Sequence, residues 1–151
     1  MTFLPLTWGN RMEGDTYGME AWAKWQVTDW WRLAPGIRLL RKRLEFAPGA
    51  SMLLGLSQSG DDPRSQALLT SSMDLRPGLT FDATARYVDS LPEPALPSYY
   101  ELSASLQWRA SDQLDLSITG FNLLDSRHQE YPADAGHWIR RMVLAQARWQ
   151  F

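Results

Sequence analysis

The chain finishes Val143-Leu144-Ala145-Gln146-Ala147-Arg148-Trp149-Gln150-Phe151, and its side chains alternate. Val143, Ala145, Ala147, Trp149 and Phe151 fall on one parity, and Leu144, Gln146, Arg148 and Gln150, mostly polar, on the other. Successive residues of a β-strand point to opposite faces, so the stretch offers one apolar and one wet face. Ending on an aromatic residue of the apolar parity is the pattern of a closing strand in a membrane-spanning barrel, with lipid outside and an aqueous lumen inside.

Composition permits this reading without requiring it. Among 151 residues the formal net charge is -2 and 21% are charged, values that an ordinary soluble domain also shows. Half of each barrel strand faces a polar interior, so apolar runs of spanning-helix length are not needed, and none occurs. The 8 Trp and 5 Tyr belong either to a large core or to interfacial belts, where amphipathic rings sit at headgroup level. With no Cys, a disulfide framework and a thiolate metal site are excluded. The near-neutral charge gives no reason to expect nucleic acid. The first residues lack a basic start, a sustained apolar stretch and a small-residue cleavage site, so no secretory signal is read.

Turn residues divide the chain into alternating segments of about 9 to 11 residues, the length of a tilted spanning strand. Strands are expected at Tyr17 to Val27, Trp30 to Arg43, Ser65 to Leu75, Leu79 to Val88, Ser98 to Arg109, Gln113 to Asn122 and Ile139 to Phe151. Thr2 to Trp8 reads as the end of an earlier one. Three connections are short (Thr28-Asp29, Arg76-Pro77-Gly78, Ala110-Ser111-Asp112), and three are long (Leu44 to Arg64, Asp89 to Pro97, Leu123 to Trp138). They alternate strictly, as in a barrel with tight turns at one rim and long loops at the other. A soluble sandwich has no physical reason to sort its loops in this way.

Parity within the strands agrees. Met19, Ala21, Ala23, Trp25 and Val27 oppose Glu20, Trp22, Lys24 and Gln26; Leu79, Phe81, Ala83, Ala85 and Tyr87 oppose Thr80, Asp82, Thr84, Arg86 and Val88. Tyr100, Leu102, Ala104, Leu106 and Trp108 likewise oppose Glu101, Ser103, Ser105, Gln107 and Arg109. The second strand is irregular, and a bulge is expected near Pro35, whose missing N–H interrupts a ladder. With the carboxy-terminus on the periplasmic side, Trp25, Trp30, Trp31, Trp108, Trp149 and Phe151 form one aromatic belt. Tyr17, Tyr87, Tyr99, Tyr100, Phe121 and Trp138 form the outer one. The expected fold is all-β: about seven to eight antiparallel up-and-down transmembrane strands, the closing arc of a larger barrel.

The residues also carry a family resemblance. Pro97-Ser98-Tyr99-Tyr100, Leu106-Gln107-Trp108, Leu114-Asp115-Leu116-Ser117-Ile118, Asn122-Leu123-Leu124-Asp125 followed by Arg127-His128, and the terminal Arg148-Trp149-Gln150-Phe151 resemble the closing strands of TonB-dependent outer-membrane receptors. Upstream, Thr16-Tyr17-Gly18-Met19-Glu20 resembles a strand start of that family, and Arg86-Tyr87-Val88 its strand before a proline-bearing loop. The resemblance implies a barrel of 22 strands around an amino-terminal plug, importing ferric siderophores, haem or cobalamin with energy delivered through TonB. Residues 1–151 match only about the last third of such a barrel, with no plug, TonB-contacting segment or signal peptide. A carboxy-terminal fragment that does not transport alone is therefore expected. The implied partners are outer-membrane lipid and lipopolysaccharide, the rest of the receptor including its plug, TonB through that plug, and the barrel-assembly machinery. That machinery would read the terminal strand with Val143, Ala145, Ala147, Trp149 and Phe151.

No catalytic constellation is present, and no cofactor or metal is assigned. His128 and His137 share the last long connection with Glu130, Tyr131 and Asp134, but their spacing matches no zinc signature, and solvated loop histidines are the simpler reading. They remain candidate ligand contacts, as do Arg41 and Arg43 in the basic run with Arg38 and Lys42, suited to an anionic ligand or lipopolysaccharide phosphates. Asp61, Asp62 and Asp89 lack the ligand ladder of a calcium loop. Asp82, Arg86, Glu101 and Arg109 lie on the inner parity, where polar packing against a plug is expected. Two other classes compete with the receptor: a small self-contained outer-membrane barrel with a structural or adhesive role, and a soluble β-barrel holding a small apolar ligand.

Overall fold

A computed structural model describes residues 11–50, 61–131 and 137–151, and every regular element among them is a strand. These are β1 (Met12–Trp22), β2 (Trp25–Thr28), β3 (Trp31–Phe46), β4 (Ser65–Arg76), β5 (Leu79–Val88), β6 (Tyr99–Ser111), β7 (Leu114–Phe121), β8 (Arg127–His128), β9 (Ile139–Arg140) and β10 (Met142–Trp149). The strand expected at Thr2 to Trp8 lies outside the described residues. One antiparallel meander runs β1-β3-β4-β5-β6-β7-β10, with β2 continuing β1 along β3. The short β8–β9 ribbon belongs to the last connection.

The tight turns lie at Asp29-Trp30, Pro77-Gly78 and Asp112-Gln113, all at one end of the sheet. Gly78 sits at φ 77°, a conformation glycine adopts without steric cost. Register shifts occur between Gln26 and Thr28, Asp74 and Arg76, and Arg109 and Ser111, each within a few residues of a tight turn. The strand ends flanking the three longer connections, at Phe46 and Ser65, Val88 and Tyr99, and Phe121 and Met142, lie at the opposite end. The alternation of short and long read from the turn residues is thus the observed one.

Cross-strand partners share a face, so the register reads out the two surfaces. Tyr87↔Tyr100, Ala85↔Leu102, Ala83↔Ala104 and Phe81↔Leu106 join β5 to β6; Leu106↔Ile118 and Trp108↔Leu116 extend the row to β7, and Ile118↔Ala145 and Leu116↔Ala147 to β10. In the other direction it continues through Leu69↔Ala85, Pro35↔Leu69, Ile37↔Ala67 and Ala21↔Ile37. One face is therefore apolar across the whole meander. The opposite face carries side-chain pairs across the ladder: Arg32–Asp74 (2.7 Å), Arg38–Glu20 (3.2 Å), Thr70–Thr84 (3.4 Å) and Ser105–Thr119 (2.9 Å).

Pro35 does not produce the expected bulge. Trp22 pairs Gly36 and Trp25 pairs Leu33, so three steps on one strand match three on the other and the register passes through Pro35 unshifted. The missing N–H removes a bond and splits the first strand into β1 and β2, while Ala23 N–H still donates to Pro35 O at 3.0 Å. That strand also begins before Tyr17, because the β1–β3 hairpin continues to Met12↔Phe46. Gly14 permits the extension: a Cβ there would lie 1.8 Å from Arg43 O.

The sheet encloses no apolar core. Among the described residues Leu96 is the only buried hydrophobic one, whereas Met19, Ile37, Leu69, Leu106, Ile118, Val143 and Trp149 are exposed. Among the described residues no helix is long and apolar enough to cross a membrane, which says nothing about a β-barrel. The outer edges of β1 and β10 have no strand partner among the described residues.

Candidate functional site

The densest polar arrangement lies on the polar face where β5 and β6 approach the long connections. Alternation brings Arg86 and Glu101 opposite each other, and Arg86 Nη2 donates to Glu101 Oε2 at 2.7 Å. The last connection folds onto this pair. Arg86 Nη2 also donates to Glu130 Oε1 at 2.5 Å, and His128 Nε2 donates to the same oxygen at 3.0 Å. The His128 ring stacks on Tyr99 at 4.3 Å between centroids, and the Arg86 guanidinium lies 5.3 Å from the Tyr99 ring.

The backbone enters this knot through Asn122, which is fully buried at φ 51° and donates from Nδ2 to Ile139 O at 3.1 Å. Asn tolerates this left-handed geometry better than other residues bearing a Cβ. Leu123 N–H then bonds Leu102 O at 2.8 Å, and the Leu123 side chain fills the space over Gly120, where a Cβ would meet it at 2.7 Å. The Asn-Leu-Leu-Asp element thus turns the chain back over the polar face.

His128 is 6% exposed, contrary to the solvated loop residue expected from its neighbours in sequence; the fold places it between Tyr99 and Glu130. Its Nδ1 is buried without a partner among the described residues. With Nε2 donating, a neutral ring leaves a lone pair there in place of an unsatisfied N–H. Burial pushes the Glu130 carboxyl up, but hydrogen bonds from His128 and Tyr99 and the Arg86 charge outweigh it and hold the group below the usual carboxylate range. Glu101, His128 and Glu130 bring one ligating atom each within 4.8 Å of one another, a donor set that suits a divalent cation. One Arg86 nitrogen already occupies the position between the carboxylates, so the arrangement works as an internal ion-pair knot.

The other candidates separate. His137 is exposed. Arg41 and Arg43 are exposed on the apolar parity, opposite Tyr17 and Asp15, whereas Arg38 and Lys42 turn to the polar face. Lys42 Nζ bonds Asp61 at 2.8 Å and Asp62 at 2.7 Å, so the basic run does not act as a unit. Asp89 stays apart from that acidic pair and accepts from Ser65 Oγ at 3.1 Å and Ser90 N–H at 2.8 Å. Arg109 lies 3.6 Å from Asp115. Asp82 stands opposite Ser72 and Ser105 on the polar face.

Of the belt residues, Trp25, Trp108 and Trp149 share the apolar face near the tight turns, with Trp31 beside them stacked on Trp30 at 6.2 Å. Tyr17, Tyr87 and Tyr100 share that face near the long connections, and Tyr87 packs 4.8 Å from Tyr100. Tyr99 does not join them: alternation turns it to the polar face onto His128. Trp138 lies under Arg127, 4.6 Å away, in the last connection. Val143, Ala145 and Ala147 line β10 beside β7, and Phe151 is fully exposed beyond it.

Solved structures share this architecture. The siderophore receptor PiuA from Acinetobacter baumannii superposes with a TM-score of 0.68 at 22% identity, covering 91% of this chain and 22% of that one. The fold is that of a stretch of β-barrel wall. The ferric-catecholate import receptor Fiu from E. coli K12 gives a TM-score of 0.68 at 18% identity over 91% of this chain and 21% of its own, and FpvAI, solved with pyocin S2, gives 0.69 at 16% over 93% and 20%. This barrel-wall chain spans about a fifth of the length of those receptors. No family model matches it, and no curated protein does.

Proposed function

We propose that the chain is the carboxy-terminal stretch of barrel wall of a TonB-dependent outer-membrane receptor importing a ferric-siderophore type of ligand, and that it does not transport alone. The observation that carries this is the exposed apolar face, continuous from strand to strand across the meander and giving way to charge only at the far end of β1 and β3, at Asp15, Arg41 and Arg43. At about 25 cal/mol per Å² of apolar surface removed from water, a sheet without a second layer has little to hold it in aqueous solution. Hydrocarbon supplies the missing phase, and polar pairs on the opposite face suit a wet lumen. The receptor neighbours support the choice of barrel and of siderophore import.

In this reading the long connections face outward, the tight turns and Phe151 lie on the periplasmic side, and lipid and lipopolysaccharide contact the apolar face. The polar face meets the plug, which engages TonB, and the barrel-assembly machinery recognises β10. β1 and β10 run in the same direction, so antiparallel closure takes an odd number of further strands. This disfavours a self-contained barrel made from the described strands. Each unpaired backbone group at an open edge costs several kcal/mol in hydrocarbon, so the edges require those strands.

Cold versus heated gel mobility in detergent tests the proposal. Failure to fold alone, with rescue when the remaining barrel is co-supplied, is expected; a heat-modifiable, β-rich species formed by the chain alone overturns it in favour of the small barrel. Deleting Phe151 within the complete receptor is expected to slow outer-membrane assembly, and an unchanged assembly rate refutes the role given to β10.

A further inference from the structure

Pro63, the 89–98 connection and Gln129-Glu130-Tyr131 border a cleft of about 180 Å³ over the polar face. Its walls include Leu91, Leu96, Tyr99 and Tyr131, and its polar groups include Asp89 and Glu130. Leu91 and Leu96 are fixed by reciprocal backbone bonds of 3.0 Å, which give that wall a defined shape. An apolar cavity of about 150 Å³ accommodates benzene, so a six-membered ring fits the space.

The charges here do not balance. Asp89, Glu101 and Glu130 lie beside or close to the cleft, and Arg86 is committed to Glu101 and Glu130. Asp89 makes no ion pair among the described residues; its carboxylate is held by Ser65, Ser90 and Tyr87. Hydrogen bonding, first from the Ser90 backbone N–H, keeps Asp89 below the usual carboxylate range despite partial burial, so it is ionised at neutral pH. An anion entering the cleft meets the unpaired Asp89 carboxylate, whereas a cation is attracted by it.

We propose that this cleft binds a small monocyclic organic cation, its ring against Leu91, Leu96 and the tyrosines and its ammonium group toward Asp89. The inference rests on the loop geometry and does not require the receptor reading. Benzylammonium is the probe, observed by saturation-transfer NMR with empty micelles subtracted. The protein is the full chain in its β-rich micellar form or, where it folds only with the remaining barrel, that assembly. Saturable binding is expected, with benzyl alcohol and benzoate at least about tenfold weaker, the factor set by one charge-assisted contact. Asp89→Asn, which keeps an acceptor oxygen, should weaken benzylammonium about tenfold and leave benzyl alcohol unchanged. Leu91→Trp, which fills the cleft, should abolish both. Absence of saturable binding, equal affinity for benzyl alcohol, or an unaffected Asp89→Asn variant overturns the proposal. An Asp89→Asn loss that extends equally to benzyl alcohol reports a distorted loop and refutes the charge assignment.

Discussion

Replacing Ala104 by arginine should destabilise the barrel wall far more than the same change at Ser103, its neighbour in sequence. Ala104 lies on the apolar face of β6 between Ala83 and Gly120, so no adjacent side chain can pair a guanidinium; Ser103 lies on the polar face opposite Thr84. Five residue steps separate Ala104 from Tyr99, about 17 Å along the strand at ~3.4 Å each. A tilt near 45° makes that about 12 Å of depth, beyond the reach of an arginine side chain to the interface. Arginine at the midplane of a barrel's lipid face costs about 2–4 kcal/mol, a factor of about 30 to 700 in the folding equilibrium, whereas lumen positions lack this penalty. Urea titration in phosphatidylcholine vesicles, with the chain in its complete barrel and tryptophan emission as readout, measures both variants. Equal losses at the two positions, or tolerance of Ala104→Arg, would refute the assignment of faces and the membrane reading with it.

Gly14→Ala should fray the far end of the β1–β3 hairpin, because its Cβ meets the Arg43 carbonyl oxygen at 1.8 Å; faster amide exchange around Leu44, with the middle of β3 unchanged, is the expected signature. Asn122→Ala should loosen the last connection by about 1–2 kcal/mol through loss of the bond to Ile139 O, and Asn122→Gly should cost less because it keeps the left-handed backbone; limited proteolysis of residues 122–141 ranks the two. Docking of that connection should also depend on pH. The Glu130 carboxyl is depressed below its ordinary 4.5, so its contribution is complete above that value and is lost as pH falls through the lower folded value. Protease sensitivity should therefore rise in acid for the native chain, while Glu130→Gln, which has no carboxylate to protonate, should be sensitive at neutral pH and show a weaker acid dependence.

Period-two alternation and turn chemistry were legible because they are local. Pro77-Gly78 marks its turn, and Leu79 to Val88 spans the same residues in pattern and fold. The limits of β1 and β3 were not, since Gly14 and Asp15 resemble turn residues until Leu44 and Arg43 are seen to pair with them. Pro35 suggested a bulge because a lost donor can be accommodated by one, but register is a property of two strands, and the partner kept step. In Tyr99-Tyr100 both rings suit an interface, and only strand parity tells which of them faces the lumen. Legibility was least for the knot: Arg86 and Glu130 are 44 residues apart, and nothing local to His128 announces that the last connection folds inward.

An odd number of strands in the meander has a topographical consequence. β1 starts beside Phe46, at the end of the sheet with the long connections, and β10 ends beside Leu114, at the end with the tight turns. If the sheet spans a bilayer, polypeptide leading into Met12 and polypeptide leaving Trp149 occupy different compartments, and no hinge within the described strands can bring them to the same side. The wall thus acts as a vectorial link: whatever attaches at one end is separated from the other by the full thickness of the membrane.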